Sequence, residues 1–241
     1  MTIDKLPKLL RDALQDNTYD VDVITKHLKL PWLKLDIELG TWSDDEIGQL
    51  QTSDDWRSQW RFKGLNENAY QVKDWNGKIL FGPCDFEKFI DISGQESHDH
   101  DEDSKCRHHR HQLEYDWVQP SAVQERIESI IPREHLNLVN SYILPKGGYV
   151  FPHRDYAIDG MGLAKIYVAA RWGDGNRFGM YGCGDIPIKQ GDVILLNNYT
   201  LPHWVYNGSD TDRLVIDISA DLRSPVISDS IVNAFKRTFT C

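Results

Sequence analysis

Cysteine is scarce in this chain and none of it is paired by spacing. Cys84, Cys106, Cys183 and Cys241 form no CxxC motif, which argues against both a disulfide framework and a zinc ribbon and leaves free thiols as the expectation. Long apolar runs are missing too: no stretch approaches the roughly 20 residues that a membrane-spanning helix needs. The opening text, MTIDKLPKLLRDALQD, lacks the continuous apolar core and small-residue cleavage site of a secretory signal, so a cytoplasmic protein is expected. Positive charge is in deficit. With 27 Lys and Arg against 37 Asp and Glu, the formal net charge of -10 argues against broad binding to nucleic acid or to an anionic membrane surface.

What is present is a globular inventory. Of 241 residues, 40% are hydrophobic and 11% aromatic, and this length suits one main domain with extensions. From about Ile3 to Leu30 the spacing of Leu6, Leu9, Leu10 and Leu14, then Val21, Val23, Ile24 and Leu28, predicts a helical extension over residues 1–30. WLKLDIEL, Trp32 to Leu39, reads as a strand, and SDDEIGQLQ after it as a helix with Ser43 at the N-cap and acidic residues in its first turn. Asn76-Gly77, between AYQVKD and KILFG, predicts a hairpin turn. PSAVQERIESII places Val123, Ile127, Ile130 and Ile131 on one helical stripe.

Past Ile131 the pattern becomes strand-like. SYIL, GGYVF, AKIYVAARW, IPIK, DVILLNN, HWVYN and RLVIDIS are short runs separated by glycine-bearing turns, which favours an antiparallel barrel over a parallel αβ array. The expected fold is mainly β with flanking helices, a double-stranded β-helix (jelly-roll, cupin-like barrel) over residues 31–222. A C-terminal helix over 223–241, starting near Ser228 or Asp229, is expected to follow.

Within that region one group of residues carries chemistry. Residues i and i+2 of an extended chain point to one side, so His153 and Asp155 suit a common metal ion at a strand end. His203, fifty residues beyond His153, follows the strand-like DVILLNN and completes a two-histidine, one-carboxylate face if the strands lie side by side. That donor set suits octahedral Fe(II) with open positions for a co-substrate and O2, unlike a closed tetrahedral zinc site. Arg213 follows His203 by ten residues, and its planar guanidinium suits the far carboxylate of a metal-chelating dicarboxylate such as 2-oxoglutarate.

Three stretches, SYILPKGGYVFPH, GDVILLNN and HWVYNGSDTDRLVIDIS, resemble the core of the aspartyl/asparaginyl β-hydroxylase branch of the 2-oxoglutarate and Fe(II)-dependent dioxygenases, a group that includes proline hydroxylases. The resemblance spans roughly residues 139–222. It implies His153, Asp155 and His203 as iron ligands, Arg213 as the clamp for 2-oxoglutarate, and Ser141 as a helper in holding the co-substrate. It also implies that Lys165 and Tyr167, on AKIYVAARW, face the site, where the family often has an arginine and a histidine. The activity so implied is hydroxylation of an unactivated C–H bond of an amino acid, free or in a peptide or protein, with release of succinate and CO2. Oxidation of another small carboxylate, or a metal-binding sensor module without turnover, are the alternatives; a simple binding module has no need of Arg213.

Rival features weigh less. SGQESHDHDEDSKCRHHRHQ holds five of the nine histidines, His98, His100, His108, His109 and His111, in no closed zinc spacing, and reads as a loop over residues 97–112. GDGNRFGMYGCGD has the glycines of a phosphate loop but neither its lysine nor its helix, so it reads as turns between strands. Trp204 reads as a core residue, and Arg154 as pointing away from a metal held by its neighbours. No feature of the sequence specifies an oligomeric state.

Overall fold

The β-branched and apolar runs after Leu136 form strands, and the glycines between them turn the chain. A computed structural model of the chain describes residues 8–16, 20–21, 24, 32–39, 41–51, 72–73, 76–84, 114–118, 121–154, 163–197, 201–222 and 224–239. In order the described elements are α1 (Lys8–Asp16), β1 (Trp32–Lys34), α2 (Asp44–Gln51), β2 (Val72–Lys73), β3 (Asn76–Pro83), β4 (Tyr115–Trp117) and α3 (Ala122–Glu128). After a 3₁₀ turn at Arg133–His135 come β5 (Leu136–Leu144), β6 (Tyr149–His153), β7 (Leu163–Arg171), β8 (Asn176–Met180), β9 (Gly184–Asp185), β10 (Val193–Leu196), β11 (His203–Asn207), β12 (Arg213–Asp221) and α4 (Pro225–Phe239).

The strands pair into a seven-stranded sheet of order β1-β10-β7-β12-β5-β3-β4 and a five-stranded sheet of order β2-β6-β11-β8-β9. From β5 onward the chain passes back and forth between them. Strands β5, β7, β10 and β12 lie in the large sheet, and β6, β8, β9 and β11 in the small one. This is the double-stranded β-helix.

Alternation along the large sheet separates two cores. On β12, Leu214, Ile216, Ile218 and Ala220 face the helices, where they meet Ile47 and Leu50 of α2, Val123 and Ile127 of α3, and Ile227, Ile231 and Phe235 of α4. Val215 faces the small sheet instead, with Tyr167, Ala169, Phe178, Met180, Ile194 and Val205. Both faces of β12 are thus covered, and all its residues from Arg213 to Ala220 are buried. Leu10 of the amino-terminal segment is fully buried in the helix-side core.

Local signals act largely where expected. Ser43 Oγ accepts from the Glu46 amide at 3.3 Å while the Glu46 carboxylate accepts from the Ser43 amide at 2.7 Å, a capping box at the head of α2. Ser121 caps α3 by accepting from the Gln124 amide. Several boundaries differ from the sequence reading. The strand in WLKLDIEL ends at Lys34, although Leu35, Ile37 and Leu39 remain buried on alternate positions. IPIK forms no strand: the Ile188 amide donates to the Ile186 carbonyl, and Ile186 and Ile188 fill the inter-sheet core. α4 starts at Pro225, upstream of Ser228, because proline suits a first helical turn whose amides lack partners.

The expected hairpin at Asn76-Gly77 does not form. Lys73 pairs with Tyr149 of β6 in the small sheet, whereas Asn76 and Gly77 already belong to β3 and pair with Ile143 and Tyr142 of β5 in the large one. An Asn-Gly pair makes a tight turn only when its two flanks pair with each other, and here they enter different sheets.

Candidate functional site

A β-bulge aims the first histidine. Between β6 and β11, Val150 stands opposite Val205 and His153 opposite His203, so Phe151 and Pro152 together oppose Trp204. Strict alternation from the inward Val150 would turn His153 outward; the extra residue reverses its facing and puts it beside His203. Proline, with no amide hydrogen to offer the ladder, is tolerated at such a bulge. The two imidazole centroids lie 4.3 Å apart. His153 Nδ1 lies 2.8 Å from the Phe151 carbonyl oxygen. A carbonyl only accepts, so Nδ1 carries the proton and Nε2 keeps the lone pair a metal needs.

His203 is only 6% exposed and stacks on Phe178, with centroids 5.5 Å apart and planes 6° from parallel. Phe178 meets the edge of Tyr167 at 5.2 Å, and Tyr167 receives a hydrogen bond from Arg213 Nη2. The Arg213 guanidinium lies 4.9 Å from the Trp172 ring centroid. These contacts form a continuous line from the two histidines to the arginine.

Arg213 occupies the floor of this interior. The chain runs down β11 from His203 to Asn207, whose side-chain amide donates to Leu144 O and Thr211 O, then crosses the turn and starts up β12 at Arg213, the register partner of Leu144. The arginine is 3% exposed, its Nε is buried without a partner, and no carboxylate among the described residues pairs with it. A buried guanidinium without a counter-ion is costly. Burial pushes the Tyr167 hydroxyl up to about 12, although Arg213 pulls the other way, so the phenol stays protonated at neutral pH. Accepting from Arg213, it retains its own hydrogen to donate.

Further up the same wall, Lys165 Nζ lies 2.5 Å from Asp217 Oδ2, both side chains being buried. Asp217 stands in register between Asn140 of β5 and Tyr167 of β7, and Ser219 between Leu138 and Lys165. Asp217 is four residues from the floor on β12, as His203 is on β11, about 13 Å of strand in each case. The polar group of the large sheet and the histidines of the small one therefore face each other at similar depth.

Among the residues singled out in the sequence, His153, His203, Tyr167, Lys165 and Arg213 all line this interior. Ser141 does not. It pairs with Ile216 on the helix side of β5, where its hydroxyl donates to Leu50 O at 3.3 Å, because inward positions on this strand fall to Asn140, Tyr142 and Leu144. Asp155 and the histidine-rich segment 97–112 lie outside the described residues, and among those described no group of three His, Cys, Asp or Glu converges on a metal position. Trp204, expected in the core, belongs to neither core: it alternates with the inward His203 and Val205, faces out of the small sheet and lies across Gly179. Asn140, Trp172, Asp217 and Ser219 were not foreseen. Asp217 and Ser219 share alternate positions with Arg213, so a charge within the apolar run RLVIDIS was their visible signal; Asn140 and Trp172 had none.

No protein-family model matches the chain, and no curated protein matches it in sequence. Among solved structures it is similar to an oxidoreductase of the 2OG-Fe(II) oxygenase family from Burkholderia pseudomallei, at 10% identity over 86% of this chain and 93% of that one, with a TM-score of 0.44. It is similar to the viral collagen prolyl hydroxylase of Paramecium Bursaria Chlorella virus-1 in a 2OG complex, at 15% identity over 80% and 97%, with a TM-score of 0.38. A predicted oxalate decarboxylase from Thermotoga maritima is similar at 27% identity over 37% and 70%, with a TM-score of 0.29. Likeness this distant transfers no residue roles. Among the described residues no helix is long and apolar enough to cross a membrane.

Proposed function

We propose that this chain is a 2-oxoglutarate- and Fe(II)-dependent dioxygenase of the aspartyl/asparaginyl β-hydroxylase-like branch, hydroxylating an unactivated C–H bond of an amino acid, free or in a peptide or protein. The observation that carries the reading is Arg213, a buried cation on the barrel floor with no carboxylate partner among the described residues, set behind two facing imidazoles. Its guanidinium and the Tyr167 hydroxyl offer donors for one end of a dicarboxylate. His153 Nε2 and His203, with Asp155 from the next residues of the chain, supply the donor set that suits Fe(II) and leaves coordination positions open.

When bound, Fe(II) and 2-oxoglutarate supply O2 activation, with succinate and CO2 as co-products. The protein's part is positional. Phe178 and the Phe151 carbonyl hold the imidazoles in place, Tyr167 and Trp172 hold the guanidinium, and the apolar inter-sheet core keeps water from the interior.

Anaerobic titration of full-length protein with Fe(II) and then 2-oxoglutarate tests the reading. A weak visible charge-transfer band is expected, followed by succinate release on admitting O2. Folded, Fe(II)-loaded protein without that band would overturn it. Arg213→Met is expected to weaken 2-oxoglutarate binding at least about 30-fold by calorimetry, since truncating one side of a buried charge pair is expensive.

A further inference from the structure

The inward face of β5, β7 and β12 carries more polar groups than the floor clamp uses. Asn140 is fully buried, and among the described residues neither its Nδ2 nor its Oδ1 has a hydrogen-bond partner. Ser219, nearly as buried, has an equally unpartnered hydroxyl. Outside the barrel interior such atoms occur singly among the described residues, at Trp42 Nε1, Asn176 Oδ1 and Ser224 Oγ. Asn207, also fully buried, donates to Leu144 O and Thr211 O and accepts from Ser209, and Ser141 on the helix side of β5 donates to Leu50 O. Buried polar side chains are ordinarily paired, and exceptions gathered on one inward-facing wall call for a ligand.

We propose that Asn140, Ser219 and the Lys165–Asp217 pair form the substrate-recognition wall of the barrel, and that this wall takes a neutral amide in preference to a free carboxylate. An asparagine side chain presents a donor and an acceptor side by side, the complement of another amide, and a hydroxyl serves in either sense. A carboxylate has no hydrogen for Asn140 Oδ1. The Lys165 charge is already matched by Asp217 at 2.5 Å, which leaves the wall without net charge and sets an anion against the Asp217 carboxylate. The wall stands opposite His203, so an amide held there lies across the interior from the proposed metal face. The role as substrate site rests on the dioxygenase reading; the amide preference itself does not.

Matched ligand pairs separate the two. In full-length protein, kept anaerobic with Fe(II) and 2-oxoglutarate and again with neither, asparagine is compared with aspartate and glutamine with glutamate by calorimetry. N-acetylglycine methylamide, which has peptide amides alone, tells a backbone amide from a side-chain one. Amides are expected to bind about tenfold or more tighter than their acids, and Asn140→Leu, which removes the amide without adding charge, to reduce that ratio about tenfold, with Ser219→Ala lowering amide affinity by a smaller factor. Should Asn140→Leu fail to fold, Asn140→Ser and Ser219→Ala carry the test. Acid binding equal to or tighter than amide binding, no measurable binding of any amide, or an amide preference unchanged in folded variants overturns the proposal. Amide preference in a protein that fails to bind 2-oxoglutarate overturns the dioxygenase reading alone.

Discussion

A Cβ placed on Gly179 would lie 1.9 Å from the Trp204 ring, so this glycine exists to let the indole lie across the strand. Gly179→Ala is expected to destabilise the fold by about 1–3 kcal/mol in urea unfolding, since the ring must leave a well-packed position. Tyr167 makes a different demand. Its folded pKa stands near 12 against an ordinary value of about 10, so the unfolded chain loses the proton first. Stability that is fully present below pH 10 is therefore lost as pH rises toward 12, by roughly 2–3 kcal/mol. Unfolding free energies measured across that window should slope downward in wild type and flatten in Tyr167→Phe. An unchanged slope would remove the buried phenol as the cause.

At the scale of elements, the bulge of β6 decides more than its length suggests. Removing Pro152 would leave His153 two residues after Val150, so plain alternation would already set it opposite His203 without a bulge. The deletion is expected to keep Fe(II) affinity within about tenfold in a folded barrel, read by metal titration beside circular dichroism; loss of binding in a folded protein would disprove the account of the bulge as a compensation for one extra residue. The capping box of α2 is a simpler case. Ser43→Ala should cost about 1 kcal/mol. Burial raises the Glu46 pKa, but its bonds to Ser43 together with Arg126 outweigh that and hold it below the usual carboxylate value. Its contribution is thus present at neutral pH and lost as pH falls through the lowered pKa, so Ser43→Ala should narrow the gap between neutral and acid stability.

For the whole molecule, the two-sheet arrangement ties ligand binding to global stability, because Arg213 and the facing histidines come from different sheets. 2-Oxoglutarate at about 100 times its Kd should add about 2.7 kcal/mol, an increase in Tm of roughly 5–10 °C. Arg213→Met, weakening binding at least about 30-fold, should cut that shift to about a third or less at the same concentration. The overall class was legible because it depends on local signals: short apolar runs, glycine-bearing turns and the covered strand RLVIDISA. The Asn76-Gly77 hairpin was misread because a turn motif reports its own four residues and not the destinations of its flanks. Ser141 was misplaced because a single residue of register separates the helix side of β5 from the barrel side.

By itself the sequence determined the chemical inventory in order: two histidines, a neighbouring aspartate, an arginine ten residues beyond the second histidine, and strands enough for a jelly roll. It also determined which residues of one strand share a side, since alternation is a property of the extended chain. Only the tertiary structure decided which side is inside. Pairing across long separations set His153 opposite His203 through a bulge, left Arg213 without a carboxylate among the described residues, and brought Asn140, Asp217, Lys165 and Ser219 onto one wall from three strands. Those outcomes depend on register between strands, which the hydrogen-bond ladder and the two cores select together and no local stretch of sequence encodes.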